Sequence, residues 1–214
     1  MQTKKAKAIT AKKAITAKII NSMARETLQL NGLIGNSLGL IERSGSILIY
    51  GQAKNGKTNF TMQLAKLLTQ HGRVVYNSCE EGFGLSFANT LSRVGVEEVG
   101  SKLLFTEKES VREMVERLNR RRSPDFAFVD SVNFLRMSIQ DYWSLLRGFK
   151  SKLFVFVAQE KNGMPKGAVA DEIKYNSNII IRVEGFKAFV EGRITGTKEP
   201  IVVWREGAEK YWGS

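Results

Sequence analysis

ILIYGQAKNGKTNFTMQLAKLL, residues 47–68, decides the fold. It opens inside a short apolar run, SILIY (46–50), which reads as a strand and ends in glycine. Residues 57–70 follow with helical periodicity through Phe60, Leu64, Leu67 and Leu68. Between strand and helix, Gly51-Gln52-Ala53-Lys54-Asn55-Gly56-Lys57-Thr58 matches GxxxxGK[ST]. A strand, a glycine loop and a helix start in that order make a phosphate cradle. The two glycines let the backbone turn tightly, and the amides of 54–58 with the helix N-terminus face the anion. Lys57 is expected to reach the β- and γ-phosphates of ATP, and the Thr58 hydroxyl to ligate Mg²⁺. The expected nucleotide-binding set runs from Gly51 through Asn59.

Outward from this stretch, strands and helices alternate. Strands are expected at 73–78, 102–105, 126–130, 152–159 and 178–183, with helices near 83–93, 110–121 and 139–148. The runs FAFV, LFVFVA and IIIRV are nearly continuous in apolar residues, as in strands buried on both faces. The class is therefore α/β, with an open, mostly parallel central sheet flanked by helices. KAFVE (187–191) and PIVVW (200–204) are expected to close the sheet as a C-terminal β-hairpin.

Acidic groups fall where strands end. Asp130 terminates FAFVD and is expected in the metal shell with Thr58. Glu80 and Glu81 follow the strand at 73–78, on the same sheet edge as the glycine loop. One is suited to activating water, the other to a structural or metal-shell role. His71 reads as a helix C-terminal cap, and Cys79 has no neighbours at metal-ligand spacing.

Composition narrows the classes further. The 214 residues hold 43% hydrophobic residues, so the chain can build a sizeable core. One cysteine excludes an internal disulfide framework, and one histidine excludes His–His zinc sites. No apolar run approaches the roughly 20 residues of a membrane helix, so no membrane partner and a cytoplasmic location are expected. The net charge is +12. More than half of it sits in residues 1–25, where Lys4, Lys5, Lys7, Lys12, Lys13, Lys18 and Arg25 have no acidic counterpart. Residues 1–35 are read as a basic arm, helical or partly disordered, and 36–214 as the core. The arm suits a solvated tail, packing against a neighbouring subunit, or contact with polyanion. Arg120-Arg121-Arg122 reads as a solvated helix end.

Four blocks in order carry a family resemblance: ILIYGQAKNGKTNFTMQLAKLL, GRVVYNSCEEG (72–82), FAFVDSVNFL (126–135), and the segment 152–185 beginning KLFVFVAQEKNGMPKG. Together they resemble the RecA/RadA-type P-loop ATPases, the branch that includes RadA, the replicative helicase DnaB and the KaiC group. The resemblance spans roughly 35–205 and implies a RecA-like core. It implies that Glu80 is the catalytic carboxylate and that Gln159, ending its strand, senses the γ-phosphate. It also implies a homo-oligomer, ring or filament, with basic residues supplied between neighbours. The family's Lys-x-Arg is matched here by Glu191-Gly192-Arg193, so Arg193 is expected to act in trans while the lysine is missing. Loop 160–167, flexible by composition, corresponds to a region that touches DNA in the family. Lys161 and Lys166 are thus candidate contacts to DNA, single-stranded rather than sequence-specific duplex. Zinc, protease-like and helicase-accessory modules have no counterpart, and this brevity resembles compact ATPases of phage and mobile elements.

The expected function is an Mg²⁺-dependent oligomeric ATPase in DNA recombination, repair or replication. Glu191 in place of lysine favours an alternative, a nucleotide-gated assembly or regulatory protein with little hydrolysis. A small-molecule kinase would need an arginine-rich lid, which the sequence lacks.

Overall fold

The computed structural model describes residues 14–193 and 195–213. The arm's Lys4, Lys5, Lys7, Lys12 and Lys13 therefore lie outside the described residues. The first described elements are α1 (Ala17–Ser22), β1 (Thr27–Gln29), α2 (Gly32–Leu38) and β2 (Leu40–Glu42). The motif elements follow as β3 (Gly45–Gly51) and α3 (Lys57–Leu68), then β4 (Val74–Ser78) and α4 (Leu85–Val94). A 3-10 segment (Val96–Lys102) leads to β5 (Leu103–Glu107), α5 (Val111–Leu118), β6 (Phe126–Asp130), α6 (Val132–Leu135) and α7 (Ile139–Gly148). The last part contains β7 (Leu153–Lys161), β8 (Met164–Pro165), α8 (Ala168–Asn176), β9 (Ile179–Glu184), β10 (Lys187–Gly192), β11 (Ile201–Val202) and α9 (Arg205–Trp212).

The main sheet has the order β11-β10-β9-β3-β7-β6-β4-β5. From β9 to β5 every pairing is parallel. Alternate residues of the central strands enter two separate cores. Ile47, Ile49, Phe126 and Phe128 face the core under α3, whereas Leu48, Tyr50, Ala127 and Val129 face the other. This double burial is why those strands read as unbroken apolar runs. Local signals set the helix starts: Ser110 with Glu113, and Ser138 with Asp141, form capping boxes on α5 and α7.

The expected α/β class, parallel sheet and closing hairpin are all present. Lys187 pairs with Val202 and Ala188 with Ile201, antiparallel as expected. A second hairpin, β9–β10, turns through Gly185 and Phe186, both at positive φ. One local expectation is corrected. Segment 160–167 is not a flexible loop but a tight hairpin, in which β7 continues to Lys161 and pairs with β8. Asn162 and Gly163 adopt φ of 54° and 78°, and the Lys166 amide donates to the Gln159 carbonyl at 2.7 Å. Asn-Gly supplies the positive φ at both positions that a two-residue hairpin turn requires.

The segment before β3 joins the fold closely. Leu28, Leu30 and Ile34, which the sequence reading assigned to the arm, are buried in the core beneath α3, with Leu38 and Ile41. Gly35 permits this packing, because a Cβ there would lie 1.8 Å from the Leu30 carbonyl oxygen. By contrast the described residues 14–27 are all exposed, Ile15, Ile19 and Ile20 included. Among the described residues no helix is long and apolar enough to cross a membrane.

This contrast gives a stability test. Leu30→Ala should lower unfolding free energy by about 2–5 kcal/mol, the usual cost of truncating a buried leucine. Ile19→Ala should change it by less than about 0.5 kcal/mol. Denaturant unfolding measures both, and similar values for the two variants would contradict the packing described.

Candidate nucleotide site

Parallel strands bring their C-terminal ends to one edge, and register shows what gathers there. Gly51 pairs with Gln159, and Ser78 with Asp130. The glycine loop, the residues after β4, the end of β6 and the end of β7 therefore meet at a single sheet edge. The glycine loop, the residues after β4 and the end of β6 border a cleft of about 470 Å³ that Lys57, Thr58, Glu80, Glu81 and Asp130 line together with Arg93, Phe186 and Trp204.

The loop is shaped by its glycines and braced from outside. Gly56 stands at φ 94° as the residue before α3, and no side chain caps the helix. Its first amides are thus left free of side-chain partners, the arrangement an anion needs. Gly51 leaves no room for a Cβ, which would sit 2.1 Å from the Val183 carbonyl oxygen. Asn55 ties the loop to the β9–β10 turn. Its side-chain oxygen accepts from the Gly185 amide at 2.8 Å, and its carbonyl from the Phe186 amide at 3.2 Å. Gln52, Ala53 and Lys54 are exposed, while Asn59 is buried and accepts from Gln63 at 2.9 Å. Lys57 folds back along the loop and donates to the Gln52 carbonyl at 2.8 Å. Burial lowers the Lys57 pKa, against the pull of Glu80 and Asp130.

The carboxylates occupy distinct environments. Asp130 is buried, and the Tyr76 hydroxyl donates to its Oδ2. Burial pushes Asp130 up to about 6, with the Tyr76 hydrogen bond opposing that shift. Glu81 is exposed and accepts from the Thr58 hydroxyl at 3.4 Å. Glu80 accepts from Gln159 Nε2 at 3.3 Å and from the Ser131 hydroxyl at 3.4 Å. The amides of Cys79 and Glu80 both donate to the Asp130 carbonyl, at 2.6 and 3.1 Å, joining β4's exit to the end of β6.

Gln159 is held from three sides. Its amide donates to Asn133 Oδ1 at 2.8 Å, its side chain reaches Glu80, and its Oε1 accepts from Lys166 Nζ at 3.3 Å. Lys166 thus belongs to the site's hydrogen-bond network, whereas Lys161 is an exposed residue at the end of β7. Arg193 is not brought to this edge. It is exposed, and its amide donates to the carbonyl of Asn178, which precedes β9, at 2.9 Å. Since β9 runs parallel to β3, that end is opposite to the glycine loop.

Among the described residues no group of three or more His, Cys, Asp or Glu side chains forms a metal cage. Thr58 and Asp130 both line the cleft and supply a hydroxyl and a carboxylate, the oxygen donors that Mg²⁺ takes alongside water and substrate phosphates. Sequence reasoning missed Tyr76, Asn133, Phe186 and Trp204. Tyr76 carried a signal, as a phenol in an apolar strand close to the cysteine, because a buried Tyr hydroxyl needs a partner. Asn133 on α6, and Phe186 and Trp204 beside the hairpin strands, reach the site only through tertiary packing, with no local signature.

No family model and no curated protein sequence matches the chain. Solved structures do resemble it. The flagellar accessory protein FlaH from Methanocaldococcus jannaschii aligns over 73% of this chain and 86% of its own, at 18% identity and a TM-score of 0.56. A separately solved ATPase domain aligns over 75% of this chain and 81% of its own, at 15% identity and a TM-score of 0.52. A KaiC-like protein from Pyrococcus horikoshii OT3 aligns over 83% and 93%, at 13% identity and a TM-score of 0.59. The chain shares the RecA-like P-loop fold with these proteins.

The buried carboxylate sets a pH dependence. The folded Asp130 holds its proton up to about pH 6, above the ordinary value of 3.8. The stability that its protonated form contributes is full below about pH 4 and is lost as pH rises through 6. Asp130→Asn should therefore melt higher than the parent at pH 7.5 in metal-free buffer, by several degrees. The gap should close as pH falls from about 6 to about 4. Thermal melts across that range check it, and a gap independent of pH would contradict the assignment.

Proposed function

We propose that this chain is an Mg²⁺-dependent ATP-binding protein whose nucleotide controls its assembly with further copies, and whose hydrolysis by the isolated subunit is slow. The observation that carries the reading is the state of Glu80. Both of its oxygens are engaged, one by Gln159 and one by Ser131, beside a glycine loop built to receive phosphates. A carboxylate held this way orients poorly toward water until the amide and hydroxyl move away.

On this reading the loop amides of 54–58 and Lys57 bind the β- and γ-phosphates. Lys57 exchanges the Gln52 carbonyl for a phosphate oxygen. Thr58 and Asp130 hold the metal ion, which supplies charge neutralisation on the phosphates when bound. Glu80 orients and deprotonates the attacking water, and Gln159 contacts the γ-phosphate end. Glu81 stays with Thr58 as a structural partner. The remaining need is positive charge opposite the leaving group. Arg193 is on the far edge of its own subunit, so it serves only a neighbour's site, which makes assembly a condition of full turnover. Glu191, where the resemblance implies lysine, weakens that trans contribution.

One of the proteins with this fold carries a name that agrees with an accessory role, the flagellar accessory protein. The separately solved ATPase domain agrees with a hydrolytic one. A second reading, an ATPase acting on single-stranded DNA, draws on the +12 charge and on exposed Lys161. Lys166 supports it less, being engaged with Gln159.

Sedimentation of the chain with and without Mg²⁺-ATP, together with turnover with and without single-stranded DNA, tests the proposal. A mass increase with ATP and low turnover unchanged by DNA are expected. Strong stimulation by DNA with no change in mass would instead establish the second reading. Lys57→Ala should lose nucleotide affinity by at least about ten-fold, and unchanged binding would remove the glycine loop from the site. Glu80→Gln should bind nucleotide as the parent does and lose residual turnover by about 10²–10⁴-fold, the usual worth of a positioned base. Unchanged turnover would move the role to Glu81.

A further inference from the structure

The rim opposite the glycine loop gathers cations that the nucleotide reading does not use. Gly45, Leu153, Phe126 and Val74 pair in register at the starts of β3, β7, β6 and β4, so the residues leading into these strands share one edge. Among them Arg73, Arg120, Arg121, Arg122 and Lys150 are all exposed, against the carboxylates of Glu42 and Asp125. The backbone there is fixed. Arg73 donates to the Arg122 carbonyl at 2.7 Å, and Lys152 to Ser123 Oγ and the Pro124 carbonyl at 2.9 and 2.6 Å. Asp125 is already answered by Arg43 at 3.3 Å and by the Arg73 amide at 2.9 Å. Arg120, Arg121, Arg122 and Lys150 form no ion pair among the described residues.

The segment carrying α1 leaves the fold at this same edge. Ala24, Arg25 and Glu26 border a recess of about 390 Å³ together with Arg43, Lys150 and Ser151. Beyond that recess α1 buries no residue. Ile15, Ile19 and Met23 recur at every fourth position with Ile20 beside them, and each is at least 40% exposed. Lys18 and Arg25 accompany them, with no acidic residue from 14 to 25. An apolar stripe beside unpaired cations is the pattern of segments that rest in a membrane interface.

We propose that this rim and α1 form a docking face for an anionic phospholipid surface, with the isoleucines entering the acyl boundary and the rim cations meeting headgroup phosphates. The inference stands apart from the nucleotide reading and uses none of its residues. A nucleic-acid backbone would satisfy the cations alone and leave Ile15, Ile19, Ile20 and Met23 in water. A bilayer satisfies both, because its phosphates and its hydrocarbon lie within one contact. Each basic side chain close to such a surface is worth about five-fold in binding, and entry of an isoleucine about ten-fold. No helix among the described residues is long and apolar enough to cross a bilayer, so the contact is with the surface alone. The expectation of no membrane partner rested on the lack of a spanning run, which surface contact does not require. Docked by this rim, the chain holds Gly51 and Asp130 at the far ends of their strands, away from the lipid.

Co-sedimentation of the full chain with vesicles tests the proposal. Vesicles of phosphatidylcholine alone are compared with vesicles of phosphatidylcholine and phosphatidylglycerol in equal parts. The proteins are the parent, the triple variant Arg120→Ala, Arg121→Ala, Arg122→Ala, and the double variant Ile19→Ser, Ile20→Ser. The parent should bind the anionic vesicles and not the neutral ones, and added salt should weaken that binding. The arginine variant should lose about 10- to 100-fold of it, and the isoleucine variant at least about ten-fold. All five side chains are exposed, so both variants should melt with the parent, which separates lost docking from lost folding. Fluorescence anisotropy with single-stranded and duplex oligonucleotides tests the other polyanion. No vesicle binding by the parent would overturn the inference. Oligonucleotide binding in its place, kept by the isoleucine variant and lost by the arginine variant, would make the rim a nucleic-acid face. Equal binding to neutral and anionic vesicles, or undiminished binding by the isoleucine variant, would overturn the inference as well.

Discussion

Strands buried on both faces can lie side by side only if every connection runs over the sheet and all their polar ends emerge at its rims. That constraint organises the protein. Six strands from β9 to β5 obey it, and their C-terminal ends deliver Gly51, Cys79 with Glu80, Asp130 and Gln159 to one rim. These four places are far apart in sequence. Their meeting follows from hydrophobic burial and parallel pairing, with no interaction among them required to bring it about. The interactions among them then decide details: which oxygen of Glu80 is occupied, which carbonyl Lys57 touches, and where the Tyr76 hydroxyl points.

How much of this was legible depends on whether the signal was local. The glycine loop was, because strand, loop and helix are contiguous and each has its own signature. So were the buried strands, whose double burial removes polar residues from the pattern. The segment 27–40 was not, since its NGLIGNSLGL (31–40) mixes glycine and asparagine with too few apolar residues for a helical period. Its burial depends on Leu28, Leu30 and Ile34 finding a distant partner under α3. The hairpin at 160–167 was half legible: Asn162-Gly163 is a turn signal, but lysines and glycines around it suggest mobility when read by composition alone. Trp204 was illegible as a site residue. Its relation to Phe186 and Gly56 exists only after β9, β10 and β11 have paired.

Asp130 shows how the sheet's centre sustains a charge it disfavours. The carboxylate ends a strand between two others, nearly without solvent. Tyr76, wholly buried and packed against Phe128 and Phe87, holds it with one strong donor. The tyrosine's own hydroxyl is driven far from ionisation by burial, so it remains a donor throughout the useful pH range. A phenylalanine would fill the same space and leave that oxygen without its donor. The tyrosine thus serves packing and polar satisfaction together, the condition under which buried polar groups are tolerated.

Charges of both signs crowd the rim. Glu80, Glu81 and Asp130 stand near Lys57, whose charged form burial disfavours, and Lys54 and Arg93 line the same cleft. A polyphosphate entering alone would meet three carboxyl groups, and a divalent cation alone would find too few ligands for a cage. On the proposed reading the two enter together, each offsetting the charge that the other meets. On the same reading this coupling suits the neutral donors that hold Glu80, Gln159 and Ser131. An amide and a hydroxyl can release a carboxylate when phosphate displaces them, at little electrostatic cost. A lysine in the same place would hold it at all times. The Lys166–Gln159–Glu80 chain joins the β7–β8 hairpin and the carboxylate by one hydrogen-bonded path. On the proposed reading, whatever settles against that hairpin in an assembly acts on Glu80 through the single amide of Gln159.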